Sequence, residues 1–112
     1  MPRNMSFALT TEQFKNQTKT VTRRTGWKFL KAGDLIMGCK KCMGLKPGEQ
    51  IERLGLIRIT SVSTECLFII SDDEVHAEGF PDKDSAWFIR MFTEHMGGDA
   101  FQDVTRIGFE YI

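Results

Sequence analysis

The sequence predicts an α+β fold: a small, mostly antiparallel β-barrel of about five or six strands with short peripheral helices. Three observations lead there. Extended segments, β-branched or alternating, outnumber helical ones along the 112 residues. Strands and helices do not alternate in the way that builds a parallel sheet. Helical spacing is confined to short pieces and one longer segment near the C-terminus. The length suits a single domain, residues 1–112. Its core would draw on a chain that is 41% hydrophobic and carries nine Phe.

Taken in order, Thr10-Thr11-Glu12-Gln13 offers a capping box, with Thr10 as N-cap and Gln13 three residues on, and predicts a short helix over 11–17. Phe7 and Phe14 are placed to pack across that helix start. Lys19 to Thr25 is rich in Thr and Val, which favour extended backbone. Lys31-Ala32-Gly33-Asp34 reads as a turn, Leu35 to Cys39 as a strand, and Lys46-Pro47-Gly48-Glu49 as a second turn. Leu54 to Thr60 alternates as a strand with Ile57 and Ile59 on one face. Val62 and then Cys66 to Ile70 read as further extended chain. Ser71 caps one or two helical turns over 72–77. Asp84 to Met96 is the longer helix, with Trp87, Phe88, Met91 and Phe92 expected to be largely buried and Gly97-Gly98 ending it. Val104 to Ile112 alternates as a final strand.

The net charge is zero, but its distribution is polar. Residues 1–58 hold 12 Lys/Arg against 4 Asp/Glu, and residues 59–112 hold 3 against 11. Two readings stay open: attraction between the halves within one fold, or a basic face that meets phosphate. A general nucleic-acid coat would need surplus basic charge and is disfavoured. Three cysteines, Cys39, Cys42 and Cys66, do not make a secreted disulfide framework. With no long apolar stretch and no signal-peptide pattern at the N-terminus, a cytoplasmic location and no membrane association are expected.

Lys19-Thr20-Val21-Thr22-Arg23-Arg24 concentrates three cations and two threonine hydroxyls outside Thr18 and Thr25. Without a glycine-rich stretch it is not a P-loop, and it could equally be a surface strand with charged ends. Ala77-Glu78-Gly79-Phe80 places a carboxylate before a glycine, where Gly79 can end a helical turn. Cys39-Lys40-Lys41-Cys42 is half a zinc site, but Cys66, His76 and His95 supply no second close pair, so no metal and no cofactor are expected. Trp27, between Arg24 and Lys28, and Phe80 are candidates to stack on a base, with core packing as the alternative.

The spacing Lys19, Thr20, Thr22, Arg24 after a short helix, with Glu78-Gly79-Phe80 downstream, resembles the signature of the ASCH domain family, whose fold is PUA-like. Gly33-Asp34 and the final Phe109-Glu110-Tyr111 are similar to the same pattern. The stretches Met43 to Lys46 and Val104 to Ile107 resemble small ASCH proteins of bacteriophages and their hosts. The resemblance implies a nucleoside, nucleotide or RNA as partner. It also implies a link to a branch of amidohydrolases acting on N4-acetylcytidine. The catalytic lysine, threonine and glutamate of that branch fall on Lys19, Thr22 and Glu78, with Thr20, Arg23, Arg24, Trp27 and Phe80 as substrate-binding candidates. This chain has a longer segment around 39–53 than that branch.

Three functions therefore compete: amide hydrolysis on an N4-acylated cytidine, a non-catalytic RNA- or modified-nucleotide-binding module, and a phage accessory protein acting on a host protein. Geometry separates them. Lys19 and Thr22, three residues apart, would face opposite ways on an ideal strand, so joint action requires a bend between them.

Overall fold

The computed structural model describes residues 2–42 and 44–112; Met43, within the Met43 to Lys46 stretch, lies outside them. Along the chain run β1 (Arg3–Ser6), a 3-10 turn (Ala8–Thr10), α1 (Thr11–Lys15), β2 (Val21–Arg24), β3 (Leu35–Cys39), β4 (Arg53–Cys66), a second 3-10 turn (Leu67–Ile69), α2 (Asp72–Ala77), α3 (Ser85–Met96) and β5 (Asp103–Tyr111). The five strands form one sheet in the order β1-β3-β4-β5-β2. Only β1 and β3 run parallel; every other pair is antiparallel. The sheet curls into a half-barrel, the expected mostly antiparallel α+β architecture. Its edge strands β1 and β2 do not pair with each other. The barrel is therefore open along one seam.

The long strands do most of the curling. β4 pairs with β3 through its first half and with β5 along most of its length, with register shifts after Gly38 and between Ile59 and Ser61. Such irregularities sharpen the twist that wraps a sheet. Ile57 and Ile59 enter the interior with Ile36, Ile107, Phe7 and Phe14, while Arg58 between them stays exposed. Gly38 admits the Phe14 ring, with which a Cβ there would collide. Phe7 and Phe14 pack with ring centroids 4.7 Å apart, as their positions predict.

A second apolar cluster lies between the sheet and the helices, where Phe88 and Phe92 of α3 meet Leu67, Ile70, Val75 and Val104. Trp87 and Met91 are only partly buried, contrary to expectation. Phe88 and Phe92, four residues apart, share the stripe that faces the sheet. Trp87 instead packs on Phe80, with ring centroids 4.8 Å apart.

Three local expectations need correction. Thr10 makes no side-chain cap bond, because α1 continues directly from the preceding 3-10 turn; the Thr11 hydroxyl instead donates to the Phe7 carbonyl at 2.9 Å. α1 ends at Lys15, and Gln17 adopts a left-handed φ of 59°. Cys66 to Ile70 is not an extended run: β4 stops at Cys66 and a 3-10 turn follows. Leu67 and Ile70 are buried while Phe68 and Ile69 are exposed, a spacing of three that suits a 3-10 turn and not a strand. Ser71 caps α2 as expected, and α3 starts one residue later than expected, with Asp84 as its cap. The Ser71 hydroxyl accepts from the Glu74 amide at 3.2 Å, and the Asp84 carboxylate accepts from the Trp87 amide at 2.9 Å. Gly97 ends α3 with a φ of 82°. Both predicted turns close, Asp34 onto the Lys31 carbonyl and Glu49 onto the Lys46 carbonyl.

Candidate functional site

Lys19 does not lie on a strand. β2 starts at Val21, so the face alternation that would separate Lys19 from Thr22 does not reach it. Its backbone is tied on several sides. The Lys19 amide donates to the Gln13 carbonyl, the Thr20 amide donates to the Ala77 carbonyl at 2.9 Å, and the Tyr111 hydroxyl donates to the Lys19 carbonyl. The second of these ties fastens the segment to the end of α2.

Glu78 is set by the way α2 stops. The Gly79 amide donates to His76 and the Phe80 amide to Val75, the paired bonds of a Schellman ending. Gly79 has a φ of 108°, and a Cβ there would come within 2.9 Å of the Gln13 side chain. Glycine is thus needed both for the turn and for the close approach of α1. This turn leaves Glu78 only 2% exposed, directed at Lys19.

The Lys19 ammonium donates to the Glu78 carboxylate at 2.7 Å and to the Glu78 backbone carbonyl at 2.8 Å. The other Glu78 carboxylate oxygen accepts from Arg23 Nη1 at 2.9 Å. Arg23 also donates to Glu65 and to Glu74, each at 2.8 Å. Arg106, opposite Arg23 in the sheet register, also donates to Glu74. Lys19, Arg23 and Glu78 thus form a buried network with every charge opposed. On the neighbouring face of β2, Arg24 Nε donates to the Thr22 hydroxyl at 3.1 Å, and its guanidinium lies over the Phe7 ring, 4.8 Å from the centroid.

Burial drives the proton affinities. Desolvation pulls the Lys19 pKa below that of an exposed lysine; Glu78 opposes this without cancelling it, and Arg24 and Arg23 add to the fall. Burial also works against the charge on Arg23, but Glu78, Glu74 and Glu65 outweigh it and its pKa rises. Arg24 is lowered by burial to about 10, which still leaves it charged at neutral pH. Hydrogen bonds from Arg106, then from Arg23, hold Glu74 down to about 2.

Lys19, Thr22, Arg23, Arg24, Glu78 and Phe80 line one cleft of about 270 Å3, close to the ~300 Å3 lower end of small-molecule sites. It lies along the open seam, between the end of β1 (Ser6 and Phe7), β2 and α3. Two of the sequence candidates stand apart from it. Thr20 is exposed and does not line the cleft. Trp27 does not line it either; it holds a left-handed φ of 62° and packs on Phe29, with ring centroids 5.5 Å apart, against the barrel core. The structure adds residues that the motif does not contain: Phe7 beneath Arg24, Phe88, Met91 and Phe92 as an apolar wall, and Glu74 and Glu65 as counter-charges to Arg23. Phe7, Phe88, Met91 and Phe92 were marked in the sequence only as packing residues, and the signal for Glu74 is its place four residues before Glu78 on the same helical face. Cys39, Cys42 and Cys66 are free thiols, and among the described residues no group of three or more His, Cys, Asp or Glu gathers as a metal site. No helix is long and apolar enough to cross a membrane.

A protein of Enterococcus faecalis V583 assigned to the family model DUF984 superposes on the whole chain and on 77% of its own length, with a TM-score of 0.76 and 18% identity. An ASCH domain from Lactobacillus crispatus JV V101 superposes on 97% of this chain and 78% of its own, with a TM-score of 0.69 and 17% identity. The chain has the ASCH fold. No protein-family model matches it, and no curated protein does so. At such low identity the likeness carries the ASCH architecture alone.

Proposed function

We propose that the cleft binds a nucleoside or nucleotide and hydrolyses the amide of an N4-acylated cytidine. The observation that supports this is the convergence of Lys19, Thr22 and Glu78 in one partly dry cleft, with Arg24 donating to the Thr22 hydroxyl. A donor on Thr22 Oγ1 steadies the charge that develops there as its proton leaves. Lys19, with a pKa lowered by burial, takes that proton in its neutral form while Oγ1 bonds to the amide carbonyl carbon. When the bond from that carbon to the exocyclic nitrogen breaks, the Lys19 ammonium returns the proton to the departing amine. Water then attacks the acyl-threonine with Lys19 again as base; the bond from the acyl carbon to Oγ1 breaks, the carboxylic acid product leaves, and the Lys19 ammonium returns its proton to Thr22 Oγ1. Glu78 aims Lys19 through the 2.7 Å contact. The apolar wall of Phe80, Phe88 and Phe92 offers a surface for the base.

A second reading, a binding module without chemistry, draws support from the Lys19–Glu78 ion pair, which favours the charged lysine. One experiment separates them. Incubation with N4-acetylcytidine followed by chromatography is expected to yield cytidine and acetate. Lys19→Ala and Glu78→Ala should each slow this by at least ~100-fold, the scale of lost acid–base help. Activity that survives both substitutions sinks the catalytic assignment. No turnover together with measurable RNA affinity favours the binding module.

A further inference from the structure

We infer that Arg24 is a phosphate receptor, so that the ligand enters the cleft as a nucleoside phosphate, either a free nucleotide or part of a phosphodiester chain. The inference rests on the nucleoside reading above and narrows its ligand class.

Three cations line the cleft, and two of them are already matched. Lys19 is held by Glu78, and Arg23 by Glu65, Glu74 and Glu78. Arg24 has no ion pair among the described residues, and its one hydrogen bond is the donation from Nε to Thr22. Among the described residues its terminal nitrogens Nη1 and Nη2 have no protein acceptor. They are not sealed away either, since the only buried side-chain polar atom without a partner among the described residues is the Thr105 hydroxyl. Among the described residues Glu78 is the only carboxylate in the cleft wall, and both its oxygens are occupied by Lys19 and Arg23. The cleft thus offers an unmatched positive charge on an immobilised fork.

That fork is pre-organised. Phe7, 1% exposed, supports the guanidinium plane from below, and the bond to Thr22 fixes its rotation. A planar guanidinium with free terminal N–H groups suits bidentate contact with phosphate oxygens. A neutral nucleoside has nothing to neutralise it.

Calorimetric titration of the intact chain with cytidine, cytidine monophosphate, inorganic phosphate and a short cytidine-containing single-stranded RNA tests the inference. A phosphorylated ligand is expected to bind at least ~10-fold tighter than cytidine, the scale of one charge-assisted contact, and the preference should shrink as salt rises. Arg24→Gln should collapse that ratio, while Arg24→Lys should keep part of it. Preference for the monophosphate identifies free nucleotides as the source; preference for RNA identifies a phosphodiester chain. Equal binding of cytidine and its monophosphate to the wild-type chain overturns the inference and leaves the nucleoside reading standing. Phosphate binding that Arg24→Gln abolishes, with no binding of cytidine, supports the receptor and removes the nucleoside reading. A phosphate preference that persists in a folded Arg24→Gln variant overturns the assignment to Arg24. The wild-type comparison decides the matter even if a variant fails to fold.

Discussion

At the scale of single residues, Lys19 and Glu78 look like symmetrical partners, but their surroundings differ. Glu78 answers two cations, Lys19 and Arg23, at 2.7 and 2.9 Å. Lys19 answers Glu78 alone among the described residues. Glu78→Ala therefore strands Lys19 with no counter-charge in a site where it is 2% exposed. Removing one partner of a buried pair costs about 3–5 kcal/mol, and that loss is expected here. Lys19→Met fills similar space without charge and leaves Glu78 paired with Arg23, so a loss of only about 1–2 kcal/mol is expected, that of Glu78 oxygens left without their Lys19 donor. Urea unfolding of the two variants checks the order. Equal losses would mean that Arg23 does not sustain Glu78 alone.

At the scale of elements, α2 is fastened to the sheet by charge. Glu74 projects from its first turn to Arg23 on β2 and Arg106 on β5, and its Glu78 end meets Lys19. Glu74 has a folded-state pKa of about 2 against an ordinary 4.5. Between those values the unfolded chain holds more protons than the folded one. The stability contributed by Glu74 is thus fully present above about 4.5 and is lost as pH falls through about 2. Glu74→Gln should cost about 1–2 kcal/mol at neutral pH, a charge-assisted bond reduced because the side chain is partly exposed. The gap between wild type and variant should narrow as thermal melts are taken from pH 5 toward pH 2. A gap independent of pH would show that the Glu74 charge contributes no stability.

At the scale of the whole molecule, the two charge halves are stitched together. Lys19 and Arg23 from the basic half meet Glu65, Glu74 and Glu78 from the acidic half, and Arg58 pairs with Glu110 at the surface. The attraction between the halves therefore operates within the fold, and at the cleft it leaves Arg24 without an ion pair among the described residues. The same unevenness governs opening of the sheet. β4 and β5 are paired on both sides, whereas β1 and β2 are edges flanking the seam. Amides of Ile57, Ile59, Ile107 and Phe109 should exchange slowest, near the rate of global unfolding, and those of β1 and β2 faster by a measurable step. Hydrogen exchange read by NMR checks this. Uniform protection across all five strands would argue against a seam that opens by itself.

The sequence alone determined the features that depend on near neighbours. The turns at Gly33 and Gly48, the cap at Ser71, the stop at Gly97 and the strand over Leu35 to Cys39 were all legible, because each depends on the conformational preference or hydrogen bonding of adjacent residues. The motif residues Lys19, Thr22, Arg24 and Glu78 were legible as a pattern of chemistry-bearing side chains. Tertiary structure decided the rest. The 3-10 turn after Cys66 follows from burial of Leu67 and Ile70 against α2 and α3, a contact that no local signal encodes. Trp27 was drawn to the barrel core and away from the cleft, since its left-handed backbone turns it toward Phe29. Above all, which cation stays unmatched could not be read from the run Arg23-Arg24. Adjacent strand residues face opposite ways, so one meets the carboxylates of α2 and β4 while the other meets Thr22, Phe7 and the open cleft.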